Sequence, residues 1–386
     1  MRIKSIDIFR ALTMLLMIFV NDLWTLSDVP DWLGHKSASE DGMGLADVVL
    51  PAFLFIVGLS IPFAIKTRIS RGESGIRIML HIAERTCTLL IMGFFMVNLE
   101  YINENRIIFS KYIWKILMAI AFFLIWNDYQ VKRFGRISVI VMKLMGVAIL
   151  VFLAAIYHGS SESQSQWMNI HWWGILGLIG WGYLVNALVY FLLRDRPGWI
   201  ALVCLVFFLM NINEFVALIP FRVNIVVSAS NHASVMSGML VTTILIWLKE
   251  TGRVKHLIPI LTGLIVLFLI FGFICRPLWG ISKIRATPSW TAICTSINIV
   301  FFIFLYFLTD KLKITRWANV ISPAGESALT CYLVPYLVYP VMALIGFHLP
   351  QVLITGIVGI IKSVVFSLLI IWITGLLARL NVRLKI

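Results

Sequence analysis

His35 lies in the run TLSDVPDWLGHKSASEDGMG (Thr25–Gly44), beside Asp28, Asp31, Glu40 and Asp41, and Asp47 follows at the start of the next apolar block. A carboxylate near an imidazole fixes its tautomer and supports the imidazolium, so His35 and Asp47 are candidates for acid–base chemistry. Pro51, four residues after Asp47, has no N–H for the Asp47 carbonyl, which is therefore expected to bend away or to accept another donor. Asn21 and Asp22 end the first apolar block. At helical spacing Asp7, Arg10 and Asn21 fall within an arc of about 60°, one polar stripe on a helix. In hydrocarbon such groups are costly and mark function, unless Asp7 and Arg10 simply neutralise each other at i, i+3.

Further polar residues extend the set. His81, Glu84 and Arg85 suit an ion pair; no second histidine or cysteine supplies metal-ligand spacing, so no metal is expected. Glu214 and Glu326 are carboxylates within apolar blocks, and His232 opens a block in SNHASVMSGM, where small residues permit close helix packing. Trp24, Trp32, Trp167, Trp172, Trp173 and Trp290 map to one interface, either as an aromatic belt or as platforms for sugar rings. The segment KTRISRGESGIR (Lys66–Arg77), with Lys66, Arg68 and Arg71, could hold a phosphorylated ligand or merely enforce topology.

The elements that must carry these residues are legible in the composition. Of 386 residues, 60% are hydrophobic and 13% charged, with a mean hydropathy of +0.95. A soluble domain is far more polar, and blocks of about 20 apolar residues match the ~30 Å of a bilayer core. The expected fold is all-α, a polytopic bundle of about twelve transmembrane helices forming one domain over residues 1–386. The blocks run approximately over 6–26, 45–65, 82–98, 112–126, 137–157, 172–193, 199–219, 233–248, 257–274, 290–308, 318–345 and 352–377. The first block lacks a cleavage site and is expected to be retained. The eleventh holds Pro335 and Pro340 and is expected to be broken or partly re-entrant.

The excess of basic residues, +14 overall, does not require nucleic acid. With a cytoplasmic N-terminus, 20 lysines and arginines fall in cytoplasmic segments and seven in outer loops. That asymmetry predicts both termini inside and an even number of spans, with Thr25–Gly44 outside. All five cysteines lie in apolar blocks or at their edges, where they act as small hydrophobes.

Several motifs together resemble one family. The opening RIKSIDIFRALTMLLMIFVND and the later GHKSASEDGMGLADVVLPAFLFIVGLSIPFAI are similar to the transmembrane acyltransferases of the heparan-α-glucosaminide N-acetyltransferase family. The likeness is strongest to bacterial members, some labelled as N-acetylglucosamine-related transporters. It rests on Ser5, Asp7, Phe9 and Arg10, on Asn21, on His35, and on Ala46, Asp47, Val48, Val49, Pro51, Phe53, Phe55 and Gly58. Further stretches of the bacterial type are HWWGILGLIGWGYL, NHASVMSGMLV, ATPSWTAICTSI and PAGESALTCYLVPYL.

The resemblance implies transfer of acetyl from cytosolic acetyl-CoA to the amine of a glucosamine-type sugar, or a glycosaminoglycan fragment, on the outer side of a bacterial inner membrane. His35 would be general base or transient acetyl carrier, Asn21 would polarise the thioester carbonyl, and Asp47 would orient the histidine. Asp7, Arg10, Lys66, Arg68 and Arg71 are the candidates for binding CoA. Trp32, Trp172, Glu214, His232 and Trp290 are those for the acceptor. A homodimer in lipid is implied by analogy, with no nucleic-acid partner. Two other readings remain at this point: a secondary transporter of amino sugars, and an O-acyltransferase of an outer polysaccharide.

Overall fold

The computed structural model describes residues 3–130, 135–159, 166–216 and 227–385. Among them every regular element is helical and no strand forms. Ten long helices come first: α1 (Lys4–Asp22), α2 (Leu45–Ser70), α3 (Gly75–Glu100), α4 (Lys111–Trp126), α5 (Arg136–Ala155), α6 (Gly174–Leu193), α7 (Pro197–Val216), α8 (Ala229–Glu250), α9 (Leu257–Trp279) and α10 (Pro288–Leu305). Short helices α11 (Ser322–Glu326), α12 (Ala328–Leu333) and α13 (Pro335–Leu344) lead to α14 (Gly356–Arg379). Each apolar block of the sequence coincides with a helix, save that the end of the seventh, at Ile219, lies outside the described residues. The block at 318–345 is broken into three short helices: one break falls at Ser327, the other at Val334 just before Pro335, while Pro323 sits in the first turn of α11 and Pro340 lies inside α13.

Nine of the described helices are long and apolar enough to cross a membrane. α1 carries Lys4, Asp7 and Arg10 near its start, α4 has 16 residues, and Ala328–Leu344 is shorter still. The chain divides into two compact units: Met1–Thr13, Val29–Cys87 and Leu178–Trp317 form the first, and Met14–Asp28, Thr88–Gly177 and Ala318–Ile386 the second.

The first unit is organised around α8, whose apolar stretch is 94% buried. α2 runs along it, and α7, α9 and α10 also pack against it. Two glycines allow the closest approach. A methyl at Gly58 would stand 1.9 Å from the Val235 carbonyl oxygen, and one at Gly238 would stand 2.0 Å from that of Phe55. The backbones of α2 and α8 therefore touch, and Thr242 Oγ1 donates to the Leu59 carbonyl across the same seam (2.9 Å). The start of α1 is held in this unit as well. Asp310 accepts the Lys4 and Ser5 backbone N–H groups, occupying donors that a helix N-terminus leaves open.

In the second unit α4 packs on α5 and α13, and α14 packs on α11 and α12. α5 turns Ile140, Leu144, Val147 and Val151 outward, a stripe suited to lipid.

Candidate active site

The loop before α2 and the first turn of that helix build the site, within the first unit. A helix start leaves several N–H groups without partners. Here the loop supplies them: Leu45 N–H donates to the Trp32 carbonyl (2.7 Å) and Ala46 N–H to that of Leu33 (3.2 Å). This crossing is tight enough to need glycine at residue 44, because a methyl there would lie 2.0 Å from the Gly34 carbonyl oxygen. His35, next to Gly34, is thereby carried to the N-terminus of α2.

Asp47 occupies the third position of that helix. Its side chain is 1% exposed and accepts the Gly44 N–H (3.0 Å), the Lys36 N–H (3.1 Å) and the His35 Nδ1–H (2.7 Å). A carboxylate at a helix N-terminus is favoured by the helix dipole, which compensates part of the cost of burying it. Because Asp47 accepts at Nδ1, the neutral ring keeps its proton there and leaves Nε2 with a free lone pair. The His35 side chain is 52% exposed, so that lone pair is open to a substrate.

The carbonyl that Pro51 orphans has found its donor. Trp290 Nε1–H donates to the Asp47 carbonyl oxygen (3.2 Å), tying α10 to the turn that carries the carboxylate. Trp290 is 2% exposed and so braces the site from inside rather than offering a stacking face.

A third charged group reaches the pair. Lys283, in the turn between α9 and α10, places Nζ 3.2 Å from His35 Nδ1 and 3.9 Å from Asp47 Oδ1. Its side chain is 24% exposed. Burial lowers the Lys283 ammonium below the ordinary lysine range, and the Asp47 carboxylate partly offsets this. The turn is pinned to the His35 loop. Asp41 accepts the Ile281 N–H (2.7 Å) and Arg276 Nε–H (2.9 Å), and Gly42 N–H donates to the Ile281 carbonyl (3.0 Å). Sequence reasoning counted Lys283 only as a basic residue of an outer loop. Nothing in its neighbourhood, WGISKIRATPSW, signals a partner 236–248 positions away.

The other candidates have varied placements. In the first unit Arg10 donates to Ser60 Oγ (2.8 Å), with Asp7 3.7 Å away. Lys66 bridges Asp195 (2.8 Å) and Glu250 (2.7 Å), and Arg68 pairs with Glu73 (2.7 Å), so both are engaged by carboxylates of the protein; Arg71 is exposed. Glu214 accepts from Ser228 Oγ–H, the Ala229 N–H and Asn211 Nδ2–H, which makes it an anchor for the start of α8. His232 is fully buried in α8 and stacks on Phe207, with ring centroids 5.5 Å apart. Trp32 is exposed near the loop crossing.

Asn21 and Trp172 belong to the second unit, where both are exposed. The buried polar residue ending α1 is instead Asp22, which accepts from Lys362 Nζ–H (2.7 Å), Tyr339 OH and Ser363 Oγ–H. Lys362 also donates to Thr25 Oγ1 (2.8 Å). No group of three or more histidine, cysteine, aspartate or glutamate side chains suited to a metal occurs among the described residues.

Helices of this length and apolarity are those of an integral membrane protein, and one end of this bundle presents an exposed imidazole braced by a buried carboxylate. Part of the chain is similar to known acetyltransferases. Residues 2–179, which include His35 and Asp47, match the family described as "Heparan-alpha-glucosaminide N-acetyltransferase, catalytic". Over 100 residues the chain is 37% identical to human heparan-alpha-glucosaminide N-acetyltransferase and 34% identical to the mouse protein. Each alignment covers 26% of this chain and 14% of the relative. Lys283 lies beyond the matched segment.

Proposed function

We propose that the protein is a transmembrane acetyltransferase that moves acetyl from cytosolic acetyl-CoA to the amine of a glucosamine-type sugar on the outer face. The observation that carries this reading is the 2.7 Å bond from His35 Nδ1–H to buried Asp47, with the ring half exposed. Amide formation requires a neutral amine. His35 Nε2 takes a proton from the attacking amine, the nitrogen bonds to the thioester carbon, and the C–S bond breaks with its electron pair on sulfur. The proton then passes from Nε2 to the thiolate. In the alternative order Nε2 itself accepts the acetyl and hands it to the amine. Both orders pass through a tetrahedral carbon bearing an oxyanion.

The remaining features follow from the same reading. Twelve spans with both termini cytoplasmic agree with the basic residues concentrated on one side, and put Thr25–Gly44 outside. The setting is a bacterial inner membrane, with a homodimer as the assembly. Lys66 and Arg68 could reach CoA phosphates only by leaving their carboxylate partners, so exposed Arg71 is the preferred inner contact. Exposed Trp32, beside the His35 loop, is the preferred sugar contact.

The test mixes purified protein in detergent with radiolabelled acetyl-CoA and a panel of amino sugars, with His35→Ala alongside. Labelled sugar forms with the unaltered protein and falls to background with the variant. Equal labelling by both would remove His35 from the chemistry. The buried Asp22–Lys362 pair favours amino-sugar transport as a second reading, since intramembrane ion pairs often line pathways. Transport predicts sugar uptake into proteoliposomes without acetyl-CoA.

A further inference from the structure

The acyl-transfer site holds more charge than the His–Asp pair needs. We propose that Lys283 is the electrostatic catalyst of the site, its ammonium stabilising the oxyanion that forms on the acetyl carbonyl as His35 acts. The inference rests on the acyl-transfer reading but is independent of which sugar, if any, is the acceptor.

Three observations support it. First, the position is built: Asp41 and Gly42 hold the Lys283 turn against the His35 loop, and Trp290 holds α10 against Asp47. Second, the ammonium does not bond His35 in the resting pair. Nδ1 directs its proton to Asp47, so Nζ, 3.2 Å away, has no lone pair to bond at that nitrogen. Nδ1 and Nε2 are separated by a single ring carbon, so the ammonium acts through space on charge that develops beside Nε2.

Third, the charges balance only with Lys283 included. With Asp47 as carboxylate, Lys283 as ammonium and the ring in the form whose Nε2 can accept, the three residues carry no net charge. When Nε2 gains a proton or an acetyl group the ring becomes positive, and the three residues together carry one net positive charge. The tetrahedral adduct carries one negative charge on its carbonyl oxygen. Without Lys283 the imidazolium and Asp47 would cancel, leaving the oxyanion without a compensating charge, which is expensive where water is scarce. Two other cations of these loops are already engaged by carboxylates: Lys36 by Glu40 (3.2 Å) and Arg276 by Asp41 (2.9 Å).

The experiment uses p-nitrophenyl acetate, a small activated ester, with the full-length protein in detergent. His35 Nε2 adds to the ester carbon, and the C–O bond to the aryl group breaks with its electron pair on p-nitrophenolate. Water then adds to the acetyl-imidazole, the N–C bond breaks with its electrons returning to the ring, and acetate and a proton leave. Phenolate release is followed from pH 6 to 11 in the unaltered protein and in His35→Ala, Lys283→Met, Lys283→Gln and Lys283→Arg.

Lys283→Met and Lys283→Gln should lower the His35-dependent kcat on the order of 100-fold, with KM little changed. Lys283→Arg should retain most of the rate. The unaltered protein should lose rate at alkaline pH, below the usual lysine range, as the ammonium deprotonates. Lys283→Arg should lack that loss, because guanidinium stays charged. Equal kcat in the unaltered protein and whichever neutral variant is recovered folded would overturn the proposal, as would an alkaline limb that persists in Lys283→Arg. Absence of any His35-dependent phenolate release would overturn it too. Normal ester chemistry with no acetylated sugar from acetyl-CoA would instead overturn the acceptor reading and leave Lys283's role standing.

Discussion

At the scale of single residues, burial and hydrogen-bond geometry separate the group proposed to do chemistry from the groups that hold it. Asp47 is buried and fully bonded, whereas the ring it orients is half exposed. Asp47→Asn can no longer fix the Nδ1–H tautomer in the same way. Acetyl transfer should fall by on the order of 100-fold or more, with KM for acetyl-CoA little changed, in a steady-state assay. Trp290→Phe removes the donor to the Asp47 carbonyl and should cost about 1–3 kcal/mol, read as a lower unfolding midpoint in detergent.

Asp41 gives a pH prediction of definite sign. The Ile281 backbone N–H and then Arg276 hold its carboxyl below the usual aspartate range. A depressed carboxylate contributes its stability above the ordinary value and loses it as pH falls through the lower folded value. The tether from Asp41 to Ile281 should thus outlast ordinary carboxylates on acidification. Hydrogen exchange at the Ile281 amide should show protection that persists below pH 4 in the unaltered protein and is already reduced in Asp41→Ala at neutral pH. The carboxylate is half exposed, so the effect on global stability is small.

At the scale of elements, the seam between α2 and α8 sets where the site's helix stands. Its glycines let the two backbones meet, and neither position tolerates a methyl without moving a helix. Gly58→Ala and Gly238→Ala should each destabilise by about 1–3 kcal/mol, measured as midpoint shifts in the same detergent. If either variant matches the unaltered protein, the close approach is absent. The polar residues of α8, among them Asn231, Ser234, Ser237, Thr242 and Thr243, are nearly all buried. They mark it as an interior helix although its hydropathy is the lowest of the nine spans.

At the scale of the whole molecule, the charge asymmetry predicts sidedness. A fluorescent-protein fusion at the C-terminus should fluoresce and an alkaline-phosphatase fusion there should stay inactive. A cysteine placed at Ser39 should react with an impermeant maleimide added from outside intact cells. The reverse pattern would put the site on the cytoplasmic face and remove the need for acetyl to cross the membrane.

What the sequence determined by itself is what local chemistry and composition dictate. Apolar blocks of bilayer length became helices, Pro335 ended one short helix of the segment at 318–345 and began the next, and Pro51 left the Asp47 carbonyl seeking a donor. His35 and Asp47, twelve residues apart across one helix start, were within reach of reasoning from spacing. The identity of that donor, the approach of Lys283 and the engagement of Lys66, Arg68 and Glu214 by other polar groups were not. Each of those depends on which helices become neighbours, and that is decided by side-chain packing over separations of tens to hundreds of residues. A membrane helix that is apolar all round carries little periodicity to announce its neighbours, so the partners of its few polar groups emerge only in the tertiary structure.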